Sequence, residues 1–324
     1  MKLVRASILP VLAAVLVGLL SPGAIAQQYP NRPVTLIVGY NAGGGTDTIA
    51  RLVAESLSKQ WNQQVVVANK PGAAGAIGVR TLKTSAPDGY TLGMWSTSDV
   101  GNAAIETGLD YNLLTDFTPI SETASGPTVL VVNKNLPIKS FADYIKYGKD
   151  NPDKLNVAVV AGGDLHLDTV RINVAAGIKT ALIHYPGTAP GLRDVVAGHS
   201  DAILLPIGPA KPYIESGALV PLAVGSKERS ELLPNVPPMS DFLPGFTSTF
   251  FYGLAGPKGM PPDVVAKINA AVKAGLEEPA MKEKLKSLGF KAEGSTPEEF
   301  SAMVAQKLKF SREAAALAGM NKSQ

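Results

Sequence analysis

The 324-residue sequence contains no cysteine, which removes disulfide frameworks, thiolate zinc sites, thiol nucleophiles and an acylated N-terminal cysteine. Charge of one sign is also scarce. The 30 Lys and Arg stand against 27 Asp and Glu for a formal charge of +3, and no run of five basic residues occurs, so nucleic acid is not an expected partner. With only 3 His in the chain, metal-ligand spacing has little to work with. Asp164, His166 and Asp168 lie at i, i+2 and i+4, which do not share one helix face. Neither a metal nor a cofactor is expected. No Gly-x-Ser-x-Gly elbow is present, and no Ser, His and acid trio stands out for nucleophilic catalysis. Beyond the N-terminus, no apolar run approaches the ~20 residues that cross a bilayer.

What is present is a chain rich in Gly (32) and Pro (25), with 45% hydrophobic and 18% charged residues. That composition excludes a disordered polyelectrolyte, and the length suits two lobes or one large α/β domain. Residues 1–26 read as a signal peptide. Lys2 and Arg5 form a positive start, Ile8 to Leu20 is a short apolar run, and Ala24-Ile25-Ala26 offers small residues at a cleavage site. Cleavage after Ala26 would leave a nearly neutral mature chain outside the inner membrane.

From Pro33 onward, short β-branched runs alternate with amphipathic stretches, the signature of parallel sheets covered by helices. Strands are expected at Val34 to Val38, Val65 to Val67 and Tyr90 to Trp95, with helices over 47–60 and 77–85. A second series begins with a strand from Thr128 to Val132 and a helix capped by Ser140. Strands at Leu155 to Val159, Thr180 to His184, Ala202 to Leu205 and Leu219 to Val224 follow, alternating with helices over 165–176 and 189–197. Three helices close the chain over 263–276, 278–288 and 297–318. Such a tail packs most economically on the first lobe, so the chain would cross between lobes near 125–130 and 245–255. Lobe 1 is then 27–124 plus 246–324, lobe 2 is 125–245, and a cleft with a two-strand hinge follows.

Three glycine-bearing turns lead from a strand into a helix. In Tyr40-Asn41-Ala42-Gly43-Gly44-Gly45-Thr46-Asp47, the glycines permit positive φ and let a ligand approach free N–H groups at a helix start. The stretch lacks the Gly-Lys-Ser/Thr ending of a phosphate loop and the spacing of a dinucleotide fingerprint, yet it favours an anion. Asp47 could cap the helix or meet a ligand amine or hydroxyl. The second turn, Tyr185-Pro186-Gly187-Thr188-Ala189-Pro190, reads either as an ordinary cap, with Thr188 at the N-cap, or as a binding loop. The third is Gly162-Gly163-Asp164-Leu165-His166. In open α/β sheets, ligands sit at the carboxyl ends of strands, where such loops lie. None of the three contains Lys or Arg. Micromolar affinity needs about 8 kcal/mol. One charge-assisted hydrogen bond contributes roughly 1.5–3 kcal/mol, and one helix start about 0.3–2 kcal/mol. Two loops closing from opposite lobes could therefore hold a small anion where one could not.

Several stretches, in order along the chain, resemble the periplasmic solute receptors of tripartite tricarboxylate transporters, the Bug family. They are Tyr29-Pro30-Asn31-Arg32-Pro33-Val34, Ala42 to Asp47, Asn69-Lys70-Pro71-Gly72-Ala73-Ala74-Gly75 and Pro87-Asp88-Gly89-Tyr90-Thr91-Leu92 in the first half. His184 to Pro190, Gly198-His199-Ser200-Asp201, Leu233-Pro234-Asn235-Val236-Pro237, Tyr252-Gly253-Leu254 and Thr296-Pro297-Glu298-Glu299-Phe300 follow. The resemblance implies an α/β, type II-like, two-lobed periplasmic binding protein: two Rossmann-like lobes joined by two crossover strands. It also implies a non-enzymatic, monomeric receptor that delivers a small carboxylate to large and small integral membrane subunits. Carried over from the family, the carboxylate is held by Tyr40, Asn41, Gly43, Gly44, Gly45, Thr46 and Asp47 together with Tyr185, Gly187, Thr188 and Ala189. The loops Ser96-Thr97-Ser98 and Gly162, Gly163, Asp164 and His166 would line the variable part of the pocket. Two departures bear on the ligand. Pro186 stands where relatives often have Lys, and Gly163-Asp164 where they often have Gly-Ser, which suggests a monocarboxylate or an amino acid whose ammonium meets Asp164. A secreted α/β enzyme acting on a similar anion, or a receptor feeding a sensor, would share this pattern.

Overall fold

The computed structural model describes residues 29–320 apart from 107, 161, 162 and 318. The expected signal peptide and Gly162 lie outside the described residues. The first sheet has the strand order β2 (Val65–Asn69), β1 (Val34–Val38), β3 (Thr91–Ser96), β9 (Thr249–Pro257) and β4 (Phe117–Asn133). β1 pairs in parallel with β2 and β3, and β3 pairs antiparallel with β9. β1 reads Val-Thr-Leu-Ile-Val with four of its five residues buried, as a strand covered on both faces should. α1 (Gly45–Trp61) lays Ile49, Val53 and Leu57 on that sheet at i, i+4 and i+8, and ends at Asn62 in the left-handed conformation. α2 (Ala76–Lys83) and α3 (Thr97–Ile105) complete the first run of helices.

β4 (Phe117–Asn133) joins the two lobes. It is 17 residues long, where the sequence suggested only Thr128 to Val132, because Pro119, Gly126 and Pro127 break the β-branched pattern without breaking the strand. Its first part, Phe117 to Pro127, pairs with β9, and Thr128 to Val132 pairs with β7 (Ala202–Pro206). β8 (Leu219–Val224) pairs along the other edge of that second part. Beyond β7, β5 (Asn156–Val160) and β6 (Ala181–Tyr185) continue the second sheet in parallel. The chain returns at Ser248, whose N–H donates to Gly225 at 2.8 Å and whose carbonyl accepts from the Thr128 hydroxyl at 3.1 Å. Gly225 permits this approach: a Cβ there would stand 2.0 Å from the Ser248 carbonyl oxygen.

The second sheet is covered by α4 (Phe141–Asp150), α5 (Asp164–Ala176), α6 (Thr188–Ala197) and α7 (Ile207–Glu215). Ser140 caps α4 by accepting the Asp143 N–H at 3.1 Å. α7 is a helix that sequence patterning did not offer, since Pro209 and Pro212 lie within it. α8 (Pro262–Glu277), α9 (Pro279–Ser287), β10 (Lys291–Ala292) and α10 (Pro297–Leu317) end the chain. α8 packs on α1 and β4, whereas α10 packs on α3 and β4 and also touches α5 of the second lobe. Two apolar layers flank the first sheet. Phe250, Tyr252 and Leu254 of β9 join one, and Phe251 and Ala255 join the other with Trp95 and Phe300, as strand alternation requires.

Candidate functional site

α1 begins without a side-chain cap. Its N-cap is Gly44, and the preceding Gly43 has φ 81°, the left-handed region that glycine enters without strain. Asp47 does not serve as that cap. Its carboxylate accepts the Gly43 N–H at 2.9 Å, the Asn69 amide at 2.9 Å and the Arg51 guanidinium at 2.8 and 3.0 Å. The Arg51 bonds, with those from Gly43 and Asn69 against the cost of burial, hold its carboxyl down at about 2. Asn69 also donates to the Tyr40 carbonyl at 3.1 Å. Asp47 therefore ties the glycine loop to β2 and leaves the first N–H groups of α1 for another acceptor.

α5 and α6 start in the same manner, with Gly163 and Gly187 at their N-caps and no side-chain cap on either. Thr188, which the sequence offered as a cap, is instead the first residue of α6. α3 differs: Ser96 and Asp99 form a reciprocal capping box that takes up the Ser96 and Asp99 N–H groups. Thr97 and Ser98, read from sequence as a loop, are the first turn of this helix.

Between the lobes lies a cavity of about 780 Å³. From the first lobe, Tyr40, Gly45, Thr46 and Ser98 line it; from the second, Gly163, Asp164, Tyr185, Gly187 and Thr188 do. Asn41, Gly43, Gly44 and Ala189 are exposed and are not part of its wall. Asp47, Ser96, Thr97 and His166 are buried elsewhere. Thr97 accepts the Phe251 N–H at 2.8 Å, and His166 packs edge-on against His184 at 5.2 Å. Burial, with His184 adding to it, lowers the His166 pKa to about 4, so its imidazole is neutral.

Asp164 lines the cavity, but its charge is directed to the other lobe. Lys307 of α10 lies 2.9 Å from one carboxylate oxygen, and the Ser311 hydroxyl donates to the other at 3.0 Å. Asp168, one turn along, accepts from Ser248 at 2.5 Å and pairs with Arg171. Burial, opposed by Lys307 and helped by Asp168, pushes the Asp164 carboxyl above the usual carboxylate range. The acid that the sequence offered to a ligand ammonium is thus already paired.

The rest of the wall was not legible as a site. Phe250 and Tyr252 of β9, with Leu288 and Phe290 after α9, form an aromatic and aliphatic side to the cavity. Alternating aromatics in a strand read as core, and here the same residues serve both purposes. Among the described residues that line the cavity, none is Lys, Arg or His, and Asp164 is the sole acid.

Residues 49–317 match the model of the tripartite tricarboxylate transporter family receptor. The chain belongs to this family. The receptor is 34% identical to protein BugT of Bordetella pertussis over 280 residues, 84% of this chain and 83% of that one. Two solved structures from Rhodopseudomonas palustris resemble it closely. Rpa4515 with adipate has a TM-score of 0.81 and 31% identity, covering 90% of this receptor and 98% of that chain. MatC with bound malate has a TM-score of 0.78 and 29% identity, covering 88% and 99%. Both likenesses agree with the fold described above, that of a two-lobed periplasmic binding protein.

Proposed function

We propose that this receptor captures a small organic carboxylate in the periplasm and delivers it to the large and small integral membrane subunits of a tripartite transporter. The observation that carries this reading is the convergence of three glycine-capped helix starts, α1 from one lobe and α5 and α6 from the other, on one cavity. N–H groups without side-chain caps are good donors to a carboxylate and provide no reactive group. Two solved relatives, one with adipate and one with bound malate, support the same ligand class. In this reading Tyr40 to Asp47 and Tyr185 to Ala189 form the carboxylate site, with some residues in contact and others shaping the loops. Residues 1–26 direct export and are removed. Lobe 1 comprises 27–124 with 246–324, lobe 2 comprises 125–245, and the working unit is a monomer without catalytic activity.

A thermal-shift screen of small carboxylates tests the capture step. A ligand at 100 times its dissociation constant adds about 2.7 kcal/mol of stability. The expected result is stabilisation by a carboxylate and none by its primary amide, with the ligand recovered unchanged. Conversion of the ligand by purified protein would instead indicate an enzyme. Uptake that needs both this protein and the two membrane subunits tests delivery.

A further inference from the structure

Tyr252 lies on the face of β9 that packs toward α1 and is only 4% exposed. Phe250 flanks its ring at 5.1 Å and Phe290 meets it edge-on at 5.2 Å. The phenolic oxygen emerges from this packing at the first residue of α1: a Cβ on Gly45 would stand 2.5 Å from it. Both residues line the cavity. Among the described residues no group bonds the hydroxyl, and its oxygen is open to the cavity rather than sealed in the core. Burial raises the phenol pKa, so it retains its proton as a donor. An unused hydroxyl donor and the unused N–H groups of α1 thus meet at one place.

We propose that Tyr252 donates to the ligand carboxylate seated at the start of α1, and that the ligand is an aromatic carboxylate whose ring lies against Phe250, Phe290 and Leu288. This rests on the carboxylate-receptor reading above. A cavity of about 780 Å³ has ample room for an aryl group beside the carboxylate. Away from the helix starts, Phe250, Leu288, Phe290 and Ile49 present carbon to whatever fills it. Aromatic side chains pair with a ligand ring edge-on or offset, as they already do with each other here. No cation lines the described wall to balance a second carboxylate, so a singly charged ligand suits it best.

Isothermal calorimetry on the purified protein and on Tyr252→Phe, with benzoate, phenylacetate, adipate and malate as probes, tests the proposal. The expected result is that benzoate or phenylacetate binds at least ten-fold more tightly than either diacid, and that Tyr252→Phe weakens it by ten- to a hundred-fold. The melting temperature of the unliganded variant should stay level or rise, because the lost hydroxyl bonds nothing in the protein. A purely structural hydroxyl would give the reverse, a lower melting temperature with unchanged affinity, and would overturn the assignment. Binding of the diacids alone would also overturn it while leaving the receptor reading intact. Failure of every carboxylate to bind would overturn both.

Discussion

α1 and α3 begin within one lobe and carry Asp at the same distance from the N-cap, yet they use it in opposite ways. In α3, Asp99 accepts the Ser96 N–H at 2.7 Å and Ser96 returns the contact, so a side-chain box closes this start over the Ser96 and Asp99 N–H groups. In α1, glycine replaces the hydroxyl residue and Asp47 turns to Gly43, Asn69 and Arg51, so the start stays open. The same residue type therefore seals one helix and holds another ready for an outside acceptor. α5 is a third case, because Asp164 reaches across to Lys307 and joins the lobes. Which donors remain for a ligand is decided by where each acid is directed, not by the presence of an acid.

The largest expected effect comes from breaking the α5 case. Lys307 is 13% exposed and is the cation facing Asp164 and Asp168, with Arg171 pairing only the latter. Removing one member of a buried pair costs about 3–5 kcal/mol. Lys307→Met should lower stability by that order in urea titration, and adding Asp164→Asn should recover much of it. Full stability in the single variant would mean the lobes are not joined by this contact. Next is Asp47→Ala, which removes charge-assisted bonds worth roughly 1.5–3 kcal/mol and loosens the open start. Both stability and carboxylate affinity should fall, whereas a change in stability alone would separate Asp47 from the site. Ser96→Ala removes an ordinary cap and should cost about 1 kcal/mol without altering affinity.

The glycine turns were legible because a strand, then glycine, then an amphipathic helix is a local pattern. The direction of Asp164 was not, since Lys307 lies far along the chain and meets it only after α10 has folded back. Tyr252 was missed for a related reason. In sequence it is an aromatic among Phe250, Phe251 and Leu254, and only the approach of Gly45 gives its hydroxyl a role. α7 was hidden by its own prolines, and β4 by Pro119 and Pro127. Local chemistry survives in sequence, whereas contacts made between lobes do not.

A comparison of pH profiles separates Asp99 from Asp47 by the direction of their shifts. Burial, opposed by the Ser96 N–H and the Tyr40 hydroxyl, pushes Asp99 up to about 6, above the ~3.9 of an unfolded Asp. Its contribution to stability is complete below about pH 4 and is lost as pH rises through 6. Asp47, held at about 2, contributes above about pH 4 and loses that contribution as pH falls through 2. Asp99→Asn should flatten the stability profile between about pH 4 and 6, and Asp47→Asn between about pH 4 and 2. Identical profiles for the two variants would remove the distinction between the closed and open starts.

Amide NMR during titration with a bound carboxylate tests the central claim most directly. The open-start account predicts that the N–H signals of Gly45 and Thr46 in one lobe and of Thr188 and Ala189 in the other move together with one midpoint, while those of Ser96 and Asp99, taken up in the α3 box, move less. Shifts centred on α3, or on one lobe alone at saturation, would contradict it.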